Sequence, residues 1–417
     1  MATRSLDSFT KVKNCRIDPA GKLETILSLG NQALTGVFPA SVNDVVTKGP
    51  LELCWSPVSG LVQLKHSFSL PEMYGDNYGY RSGLNASMVE HLGRKVEKLS
   101  ALVPLKEGDV VIDIGSNDGT LLNFLAGQKL KLFGFDPVAK KFRNLYDEEI
   151  TVVEDFFRSS DFSNLSARKA KLITSIAMFY DLEAPREFVR QIAQILDSDG
   201  LWHFEQSYLP SMLRTTSYDT ICHEHVEYYS LSVVSSMLDA EGLKIIDVET
   251  NSVNGGSFAV TAALKSSTRV ANNELISWFL QQEKTMGLQS REVYDSFAKK
   301  VADHRDSLVS LVSALRAAGA KVGGYGASTK GNVLLQYCGF GPKDIEFIGD
   351  VNPEKFGRFT PGTGIPIVSE EEMRSRAPDY LLVLPWHFRS FIVAKESDFL
   401  KSGGRLIFPL PEIEIVG

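Results

Sequence analysis

The sequence predicts an α/β protein with two doubly wound units, each opened by a glycine turn, joined by a helical segment and preceded by a small irregular lobe. Three observations carry this. From Met88 onward, short apolar runs alternate with segments of helical periodicity. Glycine turns directly follow apolar runs in VVIDIGSNDGT and KVGGYGASTKGN. The chain has 417 residues, more than one hydrophobic core ordinarily organises.

Each element follows in order. Residues 1–80 show no strand-helix alternation, only short apolar pieces such as LVQL and turn formers such as VSG and YGDNYG. In MVEHLGRKVEKLSALV the apolar positions recur at helical spacing and lead into the strand and turn of GDVVIDIGSNDG. KLFGFD, ITVV, KLITSIAMF and GLWHFEQ then read as buried strands of a parallel sheet, and FAVTAAL is expected to close its edge near residue 264, giving a unit over 81–268. Residues 269–318 interleave apolar positions with Glu, Lys, Arg and Gln and predict a helical bridge. KVGGYG, DIEFIGD, DYLLVLP and GRLIFPL repeat the alternation over 319–417. The two glycine turns are not sequence repeats, so similar architecture does not imply shared chemistry.

Composition narrows the functional classes. Hydrophobic residues make up 43% and charged residues 23%, the balance of an ordinary globular chain. The formal net charge is -7, with Lys and Arg scattered among acids, so no nucleic-acid partner is expected. The opening MATRSLDSFTKVKN lacks a secretory apolar core, and no run of about 18 apolar residues offers a membrane span; a soluble cytoplasmic protein is expected. Cys15, Cys54, Cys222 and Cys338 form no CxxC pair and predict free thiols. No conspicuous exposed apolar helix stands out, which favours a monomer.

The strongest local signal is Asp113, Gly115 and Asn117 in the first turn. Glycines between strand and helix let a ligand approach the backbone, and this spacing is not the GxGxxG of dinucleotide enzymes. Asp136 ends the next strand, where a carboxylate can accept from ribose hydroxyls. Asp155 follows the third strand; it is either an adenine acceptor beside Phe156 or an ordinary helix N-cap. The segment TICHEHVEYY holds His223, Glu224 and His225, where an imidazole oriented by a carboxylate could take a proton. The alternatives are structural histidines and a metal site, the latter weakened by the lack of HExxH or a third ligand. Tyr74, Tyr78 and Tyr80 could reach an interdomain cleft or pack an interface. Lys330 could meet a phosphate at a helix start.

In order along nearly the whole chain, VVIDIGSNDGTLL, FGFDP, TICHEHVEYYSL, NGGSFAV, GYGASTKGN and DVNPEKFGRFTPGT resemble the nucleotide-sugar 3-C-methyltransferases. The resemblance implies a zinc-binding amino-terminal domain, a Rossmann-like class I methyltransferase domain and a second Rossmann-like domain, with the sugar nucleotide between them. S-adenosylmethionine would meet Gly115 and Asn117, with Asp136 on its ribose. His225 would remove the C3 proton of a 4-keto-deoxy sugar, giving an enolate, with Glu224 and His223 in support. Tyr78 and Tyr80 would hold the sugar, and Lys330, Asn332 and Asp350 would lie on the nucleotide side.

Two departures matter. Where relatives carry two CxxC zinc pairs, this chain reads Cys15-Arg16-Ile17-Asp18 and Ser56-Pro57-Val58-Ser59, so the lobe is expected to fold without zinc. Cys222 replaces a tyrosine beside HEH, and MFYD, ending in Asp181, replaces a histidine-containing variant; both bear on how an enolate oxygen is held and which keto sugar is accepted. Competing readings are O-methylation of a related sugar, a catalytically silent sugar-nucleotide-binding protein, and a nicotinamide oxidoreductase.

Overall fold

A computed structural model describes residues 9–73 and 80–417. The amino-terminal lobe is more regular than its sequence suggests. It contains β1 (Phe9–Lys11), β2 (Glu24–Ala33), β3 (Lys48–Trp55), β4 (Val62–Leu64) and β5 (His66–Phe68). β1 pairs with β5, while β2, β3 and β4 form an antiparallel sheet. The pairing of β2 with β3 shifts register twice, and these bulges break the period-two pattern by which a strand is read from sequence.

The central unit contains β6 (Val110–Ile114), β7 (Lys131–Phe135), β8 (Ile150–Val153), β9 (Ala170–Ile176), β10 (Leu196–Ser207), β11 (Glu227–Tyr228), β12 (Leu243–Asn251) and β13 (Ser257–Leu264). Its seven-stranded sheet has the order β12-β13-β10-β9-β6-β7-β8. β6 through β10 pair in parallel, and β13 runs antiparallel to both neighbours. FAVTAAL therefore does not close the edge: β13 lies second from it, and the edge strand is β12, LKIIDVETN, whose interspersed charges hid it. β11 leaves this sheet and extends the lobe's sheet beside β4.

Helix Ala86–Leu102 starts at Asn85, whose side chain accepts from the Ser87 amide. It packs Met88, Leu92, Val96 and Leu99 against Val111, Leu132 and Leu201 on one sheet face. Helices Pro185–Ile195 and Leu231–Ala240 bury Phe188, Ile192, Val234 and Leu238 on the other. The bridge consists of helices Asn273–Met286 and Arg291–Ala317.

The last unit has β14 (Val322–Tyr325), β15 (Ile348–Asp350), β16 (Ile367–Ser369), β17 (Tyr380–Val383), β18 (Arg405–Phe408) and β19 (Glu414–Val416). Its order is β16-β15-β14-β17-β18-β19, parallel except for β19. Strand order reverses between β6 and β9 in one sheet and between β14 and β17 in the other. Such reversals open crevices at the carboxyl ends of the strands, where ligands bind in open α/β sheets.

Candidate active site

At the end of β6, Asp113 accepts a hydrogen bond from Thr174 Oγ1 (2.6 Å), and burial pushes its carboxyl up to about 7. The chain then turns through Gly115 (φ 78°) and Asn117 (φ 51°), both in the left-handed region. A Cβ on Gly115 would stand 2.9 Å from Met178 Cβ, so the loop is packed against the turn after β9. The Asn117 amide donates to Asp136 Oδ2 (2.8 Å), and Val138 donates to Asp136 Oδ1 (2.7 Å). Asn117 Oδ1 accepts from the Ser82 amide (2.9 Å), and its Nδ2 donates to the Tyr80 carbonyl (3.3 Å).

This network encloses a cavity of about 280 Å³ lined by Asp113, Gly115, Asn117, Asp136 and Phe156, with Tyr80 at its rim. Burial raises the Asp136 carboxyl above the usual carboxylate range. Tyr80 is half-exposed, and Tyr74 and Tyr78 lie outside the described residues. Asp155 does not join the cavity wall. Arg158 Nη2 donates to it at 2.6 Å and the Phe156 amide at 2.8 Å, which holds this exposed carboxylate outward. Gln206 and Asn254 also line the cavity; sequence reasoning passed over both, the first as the end of a strand and the second as part of NGG.

His223, Glu224 and His225 do not converge, because the chain bends at 223 and 224. His223 is fully buried, meets Phe68 edge-on (ring centroids 4.4 Å apart) and is lowered to about 4 by burial. Glu224 turns to the amino-terminal lobe, accepts from Thr35 Oγ1 (3.4 Å), and is raised by burial. His225 Nδ1 lies 3.0 Å from the Thr220 carbonyl. A carbonyl can only accept, so Nδ1 carries the proton and Nε2 the lone pair. The orienting group for His225 is thus a backbone carbonyl, not the neighbouring carboxylate expected from sequence.

The His225 ring lies on Tyr180 (4.1 Å between centroids), in the turn Phe179–Asp181 that follows β9. Val226 donates to the Tyr180 carbonyl (2.9 Å), and Asp181 lines the cavity, so the histidine segment packs on the turn that carries Asp181, while His223, Glu224 and His225 are not themselves among the lining residues. Burial first, then the Lys330 charge, lowers His225 to about 3. Cys222 is fully buried, and its thiol is pushed up by burial.

Three carboxy-terminal residues divide between roles. Lys330 Nζ donates to the carbonyl of Asn254, bringing a cation to the cavity's edge. Asn332 is fully buried and donates from Nδ2 to the Thr35 carbonyl (2.8 Å), tying its helix to the lobe, while its Oδ1 is buried without a hydrogen-bond partner among the described residues. Asp350 accepts from the Ala327 amide (2.8 Å) and the Asn352 amide (2.7 Å). It holds the second glycine turn as Asp136 holds the first.

The zinc-pair positions still gather around Gly21. Cys15 Sγ is 3.1 Å from Ser59 Oγ, and a Cβ on Gly21 would meet Ser56 Oγ at 2.9 Å and Cys15 Cβ at 3.0 Å. Asp18 Oδ1 accepts from the Ala20 amide (3.1 Å). One thiol, one carboxylate and two hydroxyls do not fit a structural zinc set, which uses thiolates and imidazoles.

Among the described residues, no helix is long and apolar enough to cross a membrane. Residues 84–248 match a family described as a methyltransferase domain, residues 252–411 one described as a C-methyltransferase C-terminal domain, and residues 15–74 one described as zinc-binding. The C-methyltransferase NovU of Streptomyces niveus is 30% identical over 422 residues, covering 98% of each chain. A chain of the Haloferax volcanii complex between the Trm112 methyltransferase activator and a methyltransferase aligns at 15% identity and a TM-score of 0.36, covering 44% of this chain and 94% of that one. An S-adenosylmethionine-dependent methyltransferase from Clostridium acetobutylicum aligns at 14% identity and a TM-score of 0.31, covering 42% and 92%. With 30% identity to a C-methyltransferase along 98% of its length and a seven-stranded sheet carrying its glycine turn at the switch point, the chain belongs to the C-methyltransferase family and is an S-adenosylmethionine-dependent methyltransferase.

Proposed function

We propose that the enzyme methylates C3 of a nucleotide-linked 4-keto-deoxy sugar, with His225 as the base. The observation that carries this reading is the His225 tautomer: Nδ1 is committed to the Thr220 carbonyl, which leaves Nε2 as a proton acceptor, on a ring packed against Tyr180, the neighbour of Asp181 in the cavity wall. A ketone acidifies the neighbouring C–H, so one positioned base is enough to make that carbon nucleophilic. The donor supplies a methyl group on a positively charged sulfur. Asp113, Gly115, Asn117, Asp136 and Phe156 would hold it; Asp136 accepts two backbone N–H groups and still has lone pairs for ribose hydroxyls. Lys330 supplies a cation on the acceptor side, suited to a diphosphate.

The test is to incubate the enzyme with S-adenosylmethionine and a nucleoside-diphosphate-linked 4-keto-deoxyhexose and to locate the new methyl group by NMR. A carbon-bound methyl is expected; an oxygen-bound methyl, or binding without turnover, overturns the reading. His225→Gln should keep donor affinity in calorimetry while turnover falls by about 10²–10⁴-fold. For the amino-terminal lobe, the donor set supports folding without zinc. Metal analysis of the purified protein should find none, and stoichiometric zinc would overturn this.

A further inference from the structure

We propose that Gln206 recognises the oxygen substituents of the acceptor at the reacting end of the cavity; this rests on the keto-acceptor reading above. Gln206 is 1% exposed, it lines the cavity, and neither its Nε2 nor its Oε1 has a hydrogen-bond partner. Nearly all buried polar side-chain groups are paired. An amide with both ends unmade in a cavity wall is built for a partner that arrives with the substrate.

Its neighbour shows the contrast. Glu205 faces helix Ala86–Leu102, where it meets His91 Nε2 (2.6 Å) and Lys95 Nζ (2.8 Å), and it also accepts from Asn251 Nδ2 (2.7 Å). That carboxylate is saturated by the protein. Side chains alternate along a strand, so Gln206 points to the opposite face of β10, together with Trp202 and Phe204. Those rings pack on Phe179 (centroids 5.4 Å and 5.2 Å away), which stacks on Tyr229 (5.1 Å). This is the face that bears Tyr180 and the His225 it supports.

The strand position separates acceptor from donor. The groups suited to the donor sit at the carboxyl ends of β6 and β7 and in the loop after β8. Gln206 lies beyond β9, where it pairs with Phe258 of β13, and it shares the cavity wall with Ser257 and with Asn254, the residue held by Lys330. From there the amide N–H groups can donate to a ketone oxygen and the amide oxygen can accept from an adjacent hydroxyl. The pair would select an acceptor carrying both beside the reacting carbon.

Gln206→Leu and Gln206→Met test this, with the wild type and a nucleoside-diphosphate-linked 4-keto-deoxyhexose as probe. Expected are a rise in acceptor KM of roughly 10–10²-fold, a donor Kd within about twofold of wild type, and no fall in Tm, since two unmade buried groups are removed. Slower wash-in of solvent deuterium beside the ketone, without donor present, should accompany the change. An active wild type whose two variants keep wild-type acceptor KM overturns the inference alone, as does an equal loss of donor affinity. A wild type inert toward this acceptor overturns the functional reading and the inference with it.

Discussion

His225 holds a neutral imidazole because a charge is costly where it sits. Burial and the nearby Lys330 ammonium both disfavour the imidazolium and lower the group to about 3, against an ordinary value of 6.5. In the proposed role as base, a group so lowered stays unprotonated through the neutral range, so the acid limb of kcat/KM should fall below pH 6.5 in a pH-rate profile. Lys330→Met removes the second cause, and the limb should move upward in pH. The same sign governs stability. His203 and His223 are lowered to about 3 and about 4 by burial, so below pH 6.5 the unfolded chain binds more protons than the folded one. Their contribution is fully present above 6.5 and is lost as the pH falls toward those values. Tm should drop between pH 6.5 and 4.5, and His223→Leu should make the slope shallower.

At the scale of the element, the turn after β6 is held by its packing as much as by its glycines. A Cβ on Gly119 would stand 2.6 Å from the Tyr146 ring, whose hydroxyl donates to the Asn117 carbonyl (2.8 Å). Gly127 has the same positive φ of 78° but nothing within 4 Å of its Cβ position. Gly127→Ala should therefore cost only the left-handed penalty, about 1–2 kcal/mol, in denaturant unfolding. Gly119→Ala should cost more and also weaken donor binding in calorimetry, because displacing Tyr146 moves Asn117. This turn was legible in sequence because strand, glycines and helix start are contiguous. β12 was not, since an edge strand tolerates charges that interrupt an apolar run. The directions of His223 and Glu224 were not legible either, because Phe68 and Thr35, which they meet, lie far away in the chain; His225 is turned by the Thr220 carbonyl, a backbone group that residue types do not signal.

Across the whole molecule, the carboxy-terminal unit is anchored to the amino-terminal lobe by helix Thr329–Cys338 and by the segment 355–359, where Arg358 donates to the Phe38 carbonyl (3.0 Å) and the Phe359 amide to the Pro39 carbonyl (2.9 Å). Gln336 grips the end of β2 twice: its Oε1 accepts from the Ala33 amide (2.7 Å) and its Nε2 donates to the Ala33 carbonyl (3.2 Å). One turn earlier Asn332 donates to the Thr35 carbonyl, and Thr35 Oγ1 donates to Glu224. Lys330, at the start of the same helix, reaches Asn254. A single rigid element thus fixes the lobe, the histidine segment and the cavity rim relative to one another, which no one sequence motif records. The arrangement predicts coupled unfolding. Gln336→Ala removes a paired contact and leaves both Ala33 groups unmade, a loss of about 1–3 kcal/mol. In scanning calorimetry the wild type should unfold in one transition, whereas Gln336→Ala combined with Asn332→Leu should separate the carboxy-terminal unit into a transition of its own at lower temperature. On the proposed assignment of the donor to the central sheet and of Lys330 to the acceptor, donor binding should survive in that double variant, while acceptor KM should rise because Lys330 loses its fixed position. A double variant that unfolds in one unshifted transition would show that the remaining contacts, the Arg358 and Phe359 hydrogen bonds to the lobe and the apolar packing of the bridge helices, hold the units together without these amides.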